Sequence, residues 1–207
     1  MAALYSRSVF LNAPFDRGYR PLFRAIVFAV FDCGFVARCS WESADGSQAR
    51  LEKIYELIGD CRYGVHDISR TDLDAKTGLP RFNMPLELGV FLGAKRYGKG
   101  HQHEKICLIL DRERHRYQRF CSDIAGQDIE AHAGEPAQAI RSVRDWLSNA
   151  TSSRRSLIPG GAEIARRYAE FGELLPMLCR RSKLEQAELT FNDFAALAVE
   201  WQRSNRW

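Results

Sequence analysis

The sequence predicts an α/β fold in which a parallel β-sheet is covered by helices on both faces. Strand-like and helix-like segments alternate between residues 8 and 150, and their connections have the lengths that right-handed βαβ crossovers need. The segment EKICLILD, residues 104–111, has an apolar centre of the kind found in strands buried on both faces of a parallel sheet. A chain of 207 residues, 45% of them hydrophobic, can bury the core of one such domain and carry an appendage.

The order of the elements follows from local patterns. Short β-rich runs bounded by turn residues indicate the strands, and apolar residues at spacings of three and four indicate the helices. The predicted order is strand 8–15, helix 19–33, strand 34–41, helix 47–61, strand 63–69, helix 83–97, strand 104–111 and helix 135–150.

Two of these helices carry more specific expectations. In the second helix, Ser47 is the expected N-cap. The residues expected on its inner face are Leu51, Ile54, Tyr55 and Ile58. In the third helix, Asn83 is the expected N-cap, and Gly89 and Gly93 are expected to let the helix approach its neighbour closely.

A parallel sheet with helices on both sides predicts a flavodoxin-like, doubly wound domain over residues 1–150. The segment TSSRRSLIPGG, residues 151–161, breaks the alternation with serine, proline and glycine, so a C-terminal helical extension is expected over 151–207. Helices are predicted there over 163–181 and 190–203. An apolar stripe on the last helix consists of Phe191, Phe194, Leu197 and Trp201. The extension could cover the sheet domain, or it could serve as an interaction surface for homo-oligomers.

Composition narrows the class of protein. The net charge of +4 is small for this length and the arginines are dispersed, so composition gives no case for nucleic-acid binding. No apolar run reaches the roughly 18 residues of a membrane span, and no signal peptide is visible. Six scattered cysteines lack metal-binding spacing. We therefore expect a reduced, cytoplasmic protein without a membrane partner, a metal or a resident cofactor.

The candidate site lies where the predicted strands end. Ligands bind beyond the carboxyl ends of the strands in open parallel sheets, near the point where the strand order reverses. Glu87 lies there, in the first turns of the third helix, within the apolar and glycine-spaced stretch RFNMPLELGVFLG. The positive helix end alone would account for a solvent-facing acid. The apolar neighbours favour instead a carboxylate that points into a pocket, with a reference pKa near ~4.3 that keeps it ionised at neutral pH.

The supporting candidates at the same edge are Asp67, Asn12, Phe15, Asp16, Trp41, Arg81 and Asn83. The acid that ends the third strand could hold ribose hydroxyls or cap a turn. The two aromatic residues could stack on a base or belong to the core. The two asparagines and the first-loop acid could bind sugar hydroxyls or close turns. The arginine could contact a phosphate or face solvent.

Several segments of the chain resemble segments of two known protein families. The segment RFNMPLELGVFLGAKRYG, residues 81–98, resembles the glutamate-bearing helix start of TIR-like, nucleotide-binding bacterial proteins, and CSDIAGQDIEAH, residues 121–132, resembles a segment that follows the next strand in them. ELGVFLGAKRYG with KICLIL is also similar to the glutamate helix of nucleoside 2-deoxyribosyltransferases, in which VFLNAPF would match the opening strand and loop. The resemblance covers about residues 8–148. The long polar insert SRTDLDAKTGLPRFN departs from the TIR pattern and leaves the substrate open.

The resemblance implies cleavage of an N-glycosidic bond, with Glu87 facing C1′ of the ribose as a nucleophile or as a stabiliser of the oxocarbenium-like transition state. An NAD glycohydrolase in antiphage defence or signalling is the first expectation, with NAD as substrate. A nucleoside or nucleotide N-glycosidase or 2-deoxyribosyltransferase is the second. The third is a non-catalytic module that senses a nucleotide in the same cleft.

Overall fold

A computed structural model of the chain describes residues 2–71, 73, 78–151 and 157–205. The strands are β1 (Ser8–Asn12), β2 (Val36–Arg38), β3 (Tyr63–Asp67), β4 (Ile106–Asp111) and β5 (Ile129–Ala131). The helices are α1 (Ala2–Tyr5), α2 (Arg20–Asp32), α3 (Arg50–Asp60), α4 (Asn83–Tyr97), α5 (Pro136–Ala150), α6 (Gly161–Arg181) and α7 (Phe191–Ser204). Within these ranges, no helix combines the length and the apolar character that crossing a membrane requires.

The five strands form one parallel sheet in the order β2-β1-β3-β4-β5. This confirms the predicted α/β, flavodoxin-like architecture. Because β2 lies on one side of β1 and β3 on the other, the strand order reverses between β1 and β3. Asn12 at the end of β1 is in register with His66, one residue before the end of β3. A cleft is therefore expected beyond these two strand ends.

The alternation of side chains along β1 explains how helices cover both faces of the sheet. Val9 and Leu11 belong to the large core formed with α2 and α5, whereas Phe10 packs with α3 and α4 on the opposite face. Phe10, Ile58 and Phe91 form the centre of that second core. The sheet thus fixes α4, which carries Glu87, against the face opposite to α2.

Several expectations about element ends were wrong. The strand β5 was not predicted, because only three residues form it and Glu130 at its centre is exposed. Ser47 is not a cap, since α3 begins at Arg50 and the Ser47 hydroxyl donates to Asp45 at 2.6 Å. The residue at the N-cap of α4 is Phe82, not Asn83, which is the first residue of the helix.

The inner face of α3 was also predicted incorrectly in part. Ile54 and Ile58 are buried as expected, together with Leu57. Leu51 and Tyr55 are 40% and 42% exposed. The helix therefore covers the sheet with a narrower apolar face than its sequence indicated.

The C-terminal helices cover the sheet domain. The apolar stripe of α7 is buried and joins the core formed by α2 and α5. The Phe28 ring of α2 lies 5.3 Å from the Phe171 ring of α6 and 5.8 Å from the Trp201 ring of α7, measured between centroids. This stripe is used inside the chain and offers no free surface to a partner. Most of the expected boundary segment, residues 152–156, lies outside the described residues.

A glycine does bring α4 close to the sheet, but it lies on the strand. A Cβ atom on Gly64 of β3 would lie 2.6 Å from His66 Nε2 and 2.8 Å from the Phe91 ring. Cβ atoms on Gly89 and Gly93 would meet nothing within 4 Å. The expectation that these two helix glycines permit close packing was therefore wrong.

Candidate active site

A cleft of about 340 Å³ lies at the carboxyl edge of the sheet where the strand order reverses. Six of the eight residues predicted for the site line it: Asn12, Phe15, Asp16, Arg81, Asn83 and Glu87. Four lining residues were not predicted: Ala13, Pro14, Arg50 and Met84. Arg50 could have been found from its position, because the helix after a parallel strand begins at the same edge as the strand end.

Glu87 is a largely buried acid on the wall of this cleft. It is 8% exposed and makes no hydrogen bond or ion pair with the described residues. Burial raises its pKa from an ordinary value of 4.5 to about 7, against a smaller lowering by the positive charge of Arg50. At neutral pH the Glu87 carboxyl group is therefore less fully ionised than its reference pKa predicted. The fold holds this acid in the cleft although burial removes part of the hydration that stabilises its charged form.

The Asn12 side chain is oriented by two fixed partners. Its Nδ2 donates to the Met84 carbonyl at 2.8 Å and lies 3.0 Å from His66 Nδ1. A carbonyl can only accept, so the amide nitrogen must face Met84. Burial lowers the pKa of His66 to about 3, which keeps its ring neutral with Nδ1 as the acceptor. The Asn12 Oδ1 atom makes no hydrogen bond to the described residues and is left to accept from a ligand at the cleft.

The two predicted aromatic residues form one stack, of which only one member lines the cleft. The Phe15 and Trp41 rings lie 4.2 Å apart between centroids with an interplanar angle of 26°. Trp41 is 45% exposed and does not line the cleft. Phe15 is also edge-on to Phe23 of α2 at 5.3 Å. Trp41 stacks on Phe15, and Phe15 supplies the aromatic part of the cleft wall.

The remaining lining residues give the rim a mixed charge. Arg50, Arg81 and Asn83 are exposed and come from the starts of α3 and α4. Asp16 accepts from the Tyr19 backbone at 3.0 Å and pairs with Arg70 at 3.3 Å. Two arginines at the mouth and one acid inside suit a ligand that combines anionic groups with a centre of positive charge.

Asp67, like Trp41, is a predicted site residue that does not line the cleft, and its carboxylate contacts other parts of the fold instead. Its carboxylate is fully buried and accepts from the Tyr19 hydroxyl and from the Ser69 backbone at 2.8 Å. His132 Nε2 lies 3.0 Å from the same carboxylate, although its N–H bond is poorly aligned with the oxygen. Asp67 does not line the cleft. With these three partners it joins the end of β3 to the start of α2 and the loop after β5.

The cleft contains no obvious metal site. In the described part of the chain, no three histidine, cysteine or carboxylate side chains are grouped to hold a metal ion. What the residues offer is one carboxylate of raised pKa, one amide oxygen, one aromatic wall and cationic side chains at the mouth. These groups can orient a sugar and respond to positive charge that develops near Glu87.

Comparisons with protein-family models, with curated proteins and with solved structures found no match to this chain. The class of protein is therefore defined by the fold and the cleft: a flavodoxin-like α/β protein with a buried glutamate at the switch point of its sheet.

Proposed function

We propose that this chain cleaves the N-glycosidic bond of a nucleotide, with NAD as the first substrate to test and Glu87 as the catalytic residue. The observation that carries the proposal is the Glu87 carboxyl group, which is largely buried on the wall of an open cleft and has no hydrogen-bond or ion-pair partner among the described residues. A chain gains no stability from such an acid. Strongly shifted acids in clefts are frequent at catalytic sites.

The chemistry suits the residue. As the C1′–N bond breaks, its electron pair leaves with nicotinamide, which departs as a neutral base, and positive charge develops at C1′. A fixed carboxylate in a partly dehydrated cleft stabilises that charge better than water does. Water then attacks C1′ and releases a proton to the solvent, which leaves a hydroxyl group on C1′ and completes hydrolysis. If Glu87 itself bonds to C1′ first, the resulting ester is released by water or by another acceptor.

The other lining groups have roles that fit this reaction. Asn12 Oδ1 can accept from a ribose hydroxyl, and the Phe15 ring can face the departing base. Arg50 and Arg81 lie at the mouth, where they can meet phosphate oxygens. The positively charged nicotinamide ring of bound NAD would also lower the pKa of Glu87 and so increase the ionised fraction.

The proposal is tested by incubating the purified chain with NAD and measuring released nicotinamide by chromatography. Glu87→Gln keeps the size of the side chain and removes its charge, and we expect it to lower the rate by about 10²–10³-fold. Glu113→Gln, at an exposed position outside the cleft, is the matched control and should keep the full rate.

The same assay separates the alternatives. Release of a nucleobase from nucleoside 5′-monophosphates, with NAD left intact, would move the assignment to a nucleotide N-glycosidase or transferase. Tight nucleotide binding that survives Glu87→Gln, with no turnover of either substrate class, would overturn the enzymatic proposal in favour of a sensing module.

A further inference from the structure

A second cavity, of about 260 Å³, lies beside the Glu87 cleft and is not used by the mechanism above. The turn after β1 separates the two, because Asp16 lines the cleft and Gly18 lines the second cavity. The ion pair between Asp16 and Arg70 also joins them, since Arg70 lines the second cavity. A ligand that extends beyond the cleft over this turn reaches the second cavity.

The charged side chains on the wall of this cavity are two arginines. Arg70 makes one long contact with Asp16, 3.3 Å between its Nη2 and Oδ1, and its other N–H groups have no partner among the described residues. Arg112 is exposed, and its guanidinium makes no ion pair or hydrogen bond with the described part of the chain. Two cationic groups whose donors have few partners among the described residues lie on one small cavity, and such a pair attracts an anion.

A hydroxyl on a largely buried residue lies at the same cavity. Ser69 is 5% exposed and lines the cavity, and its Oγ makes no hydrogen bond with the described residues. The backbone of Ser69 is held in place, because its N–H donates to Asp67 at 2.8 Å and its carbonyl accepts from Arg116 at 2.8 Å. A serine hydroxyl can both donate and accept, so it can donate to a ligand in this cavity.

The Asp67 carboxylate lies beneath the cavity and is covered by two side chains. Tyr19 and His132 both line the cavity, and the Tyr19 hydroxyl and the His132 ring both face the Asp67 carboxylate. Burial and the neighbouring Asp67 raise the pKa of Tyr19 well above its ordinary range, so the hydroxyl keeps its proton and donates a hydrogen bond to Asp67. The Asp67 carboxylate is thus fully buried behind Tyr19 and His132 and does not line the cavity.

Two helices begin at the cavity. α2 starts directly after Tyr19, and α5 starts two residues after Gly134, and both Tyr19 and Gly134 line the cavity. Their positive ends add to the field of the two arginines. Arg116 fixes the loop that carries Ser69 and Arg70, through contacts with Asp111 at 2.7 Å and with the Ile68 and Ser69 carbonyls.

We propose that Ser69, Arg70 and Arg112 form a phosphate-binding subsite next to the Glu87 cleft. The subsite would hold a phosphate group of the substrate whose glycosidic bond lies at Glu87, and this part of the inference rests on the proposed function. In an NAD-like substrate, the phosphate nearer the cleft would meet Arg50 and Arg81, and the diphosphate would cross the turn between Asp16 and Gly18 to place the other phosphate in the subsite.

The probe is inorganic phosphate, titrated into the full chain at constant ionic strength and followed by ¹H–¹⁵N NMR. We expect saturable shifts of the Ser69 and Gly134 amide signals. Ser69→Ala and Arg112→Gln should each weaken phosphate binding by about tenfold, as expected when one hydrogen bond to a charged group is lost. Arg114→Gln, an exposed charge on the same loop but outside the cavity, should leave binding unchanged.

The result that would overturn the subsite is phosphate binding that is unaffected by Ser69→Ala and Arg112→Gln, or that is lost with Arg50→Gln instead. This readout is independent of turnover. Phosphate binding at Ser69 without any cleavage would support the subsite and contradict the proposed function. Cleavage of a nucleoside and of its nucleotide at equal rates would contradict the subsite and support the proposed enzyme.

Discussion

At the scale of single residues, Glu87 is an acid whose burial in the cleft disfavours its charged form, and this makes it the most informative residue to test. Its pKa of about 7 follows from burial, with Arg50 as the weaker opposing influence. A neutral acid cannot stabilise an oxocarbenium ion by charge, so the proposed mechanism requires the ionised fraction of Glu87 to control the reaction rate. The position of the acid was predicted from its apolar frame, but its pKa was not, because burial depends on how closely α4 packs on the sheet.

We therefore predict that kcat/KM for NAD cleavage rises as the pH increases from 6 to 8, with a midpoint near 7, the pKa of Glu87 in the free protein. The midpoint for kcat should be lower, because bound cationic nicotinamide favours the carboxylate. Initial rates at saturating and limiting NAD give both profiles. A rate that falls above pH 7 would mean that the protonated acid is the active form.

The same burial predicts a stability effect. The folded chain keeps the Glu87 proton up to about pH 7, whereas the unfolded chain releases it near the ordinary value of 4.5. Folding takes up a proton between these values, so this residue lowers the free energy of unfolding as the pH rises across that window. Glu87→Gln should be more stable than the native chain by about 1–3 kcal/mol at pH 8, with little difference at pH 4.

Urea denaturation at the two pH values measures this difference. Glu113→Gln should show no pH-dependent gain, because Glu113 is exposed. An equal effect of Glu87→Gln at both pH values would show that the side chain is not buried as an acid.

At the scale of elements, the placement of α4 depends on Gly64. Glu87 and Phe91 are four residues apart and therefore lie on the same face of the helix. The Phe91 ring fills the space in which a Gly64 side chain would lie, and its centroid is 4.8 Å from that of the His66 ring. The site is thus held in position by a strand glycine that no sequence pattern singled out.

Gly64→Ala should destabilise the chain by about 1–3 kcal/mol, because the added methyl group would overlap the His66 and Phe91 rings. Gly89→Ala is the matched control. Among the described residues, no atom outside the neighbouring helix backbone would lie within 4 Å of its Cβ, so it should stabilise α4 by about 0.4–1 kcal/mol. Chemical denaturation measures both. A Gly64→Ala protein of unchanged stability would contradict the packing described here.

The elements also show which expectations a sequence can support. The long apolar pattern of β4 and the periodic pattern of α2 were enough to locate both elements. The three-residue strand β5 could not be recognised, because its middle residue is exposed and it pairs only with β4. Caps were misplaced by one residue at Asn83 and by two at Ser47, since capping depends on local geometry that neighbouring polar residues can supply equally well.

At the scale of the whole molecule, the C-terminal helices complete the core and do not form a separate unit of packing. Polar contacts as well as apolar ones join these helices to the sheet domain. Arg167 of α6 donates to Asp32 of α2 through two bonds of 2.8 and 2.9 Å, and both side chains are nearly fully buried. Sequence patterns predicted the helices but left their role open, because an apolar stripe does not specify which surface it covers.

Arg167→Leu should lower the free energy of unfolding by about 3–5 kcal/mol, because it leaves the Asp32 charge buried and unpaired. Arg166→Leu, on the exposed side of the same helix, removes ion pairs with Glu163 and Glu170 and should lower the free energy of unfolding far less, because water screens exposed pairs. Thermal and urea unfolding distinguish the two. Equal effects of the two substitutions would show that α6 is not anchored through Asp32.

The site was predictable to the extent that topology determines it. Knowing that parallel strands deliver their ends to one edge was enough to collect Asn12, Phe15 and Glu87. Asp67 was misassigned because its partners, Tyr19 and His132, come from distant segments that only the folded chain brings together. Contacts of that kind cannot be read from one sequence.

The central claim is that the Glu87 carboxylate cleaves an N-glycosidic bond. The most direct measurement is the rate of nicotinamide release from NAD at pH 8 by the native chain and by Glu87→Gln, with unfolding of both followed in the same buffer. We predict that the variant is the more stable protein and the slower by at least about 10²-fold. Equal rates in the two proteins, or no release by the native chain, would contradict the claim.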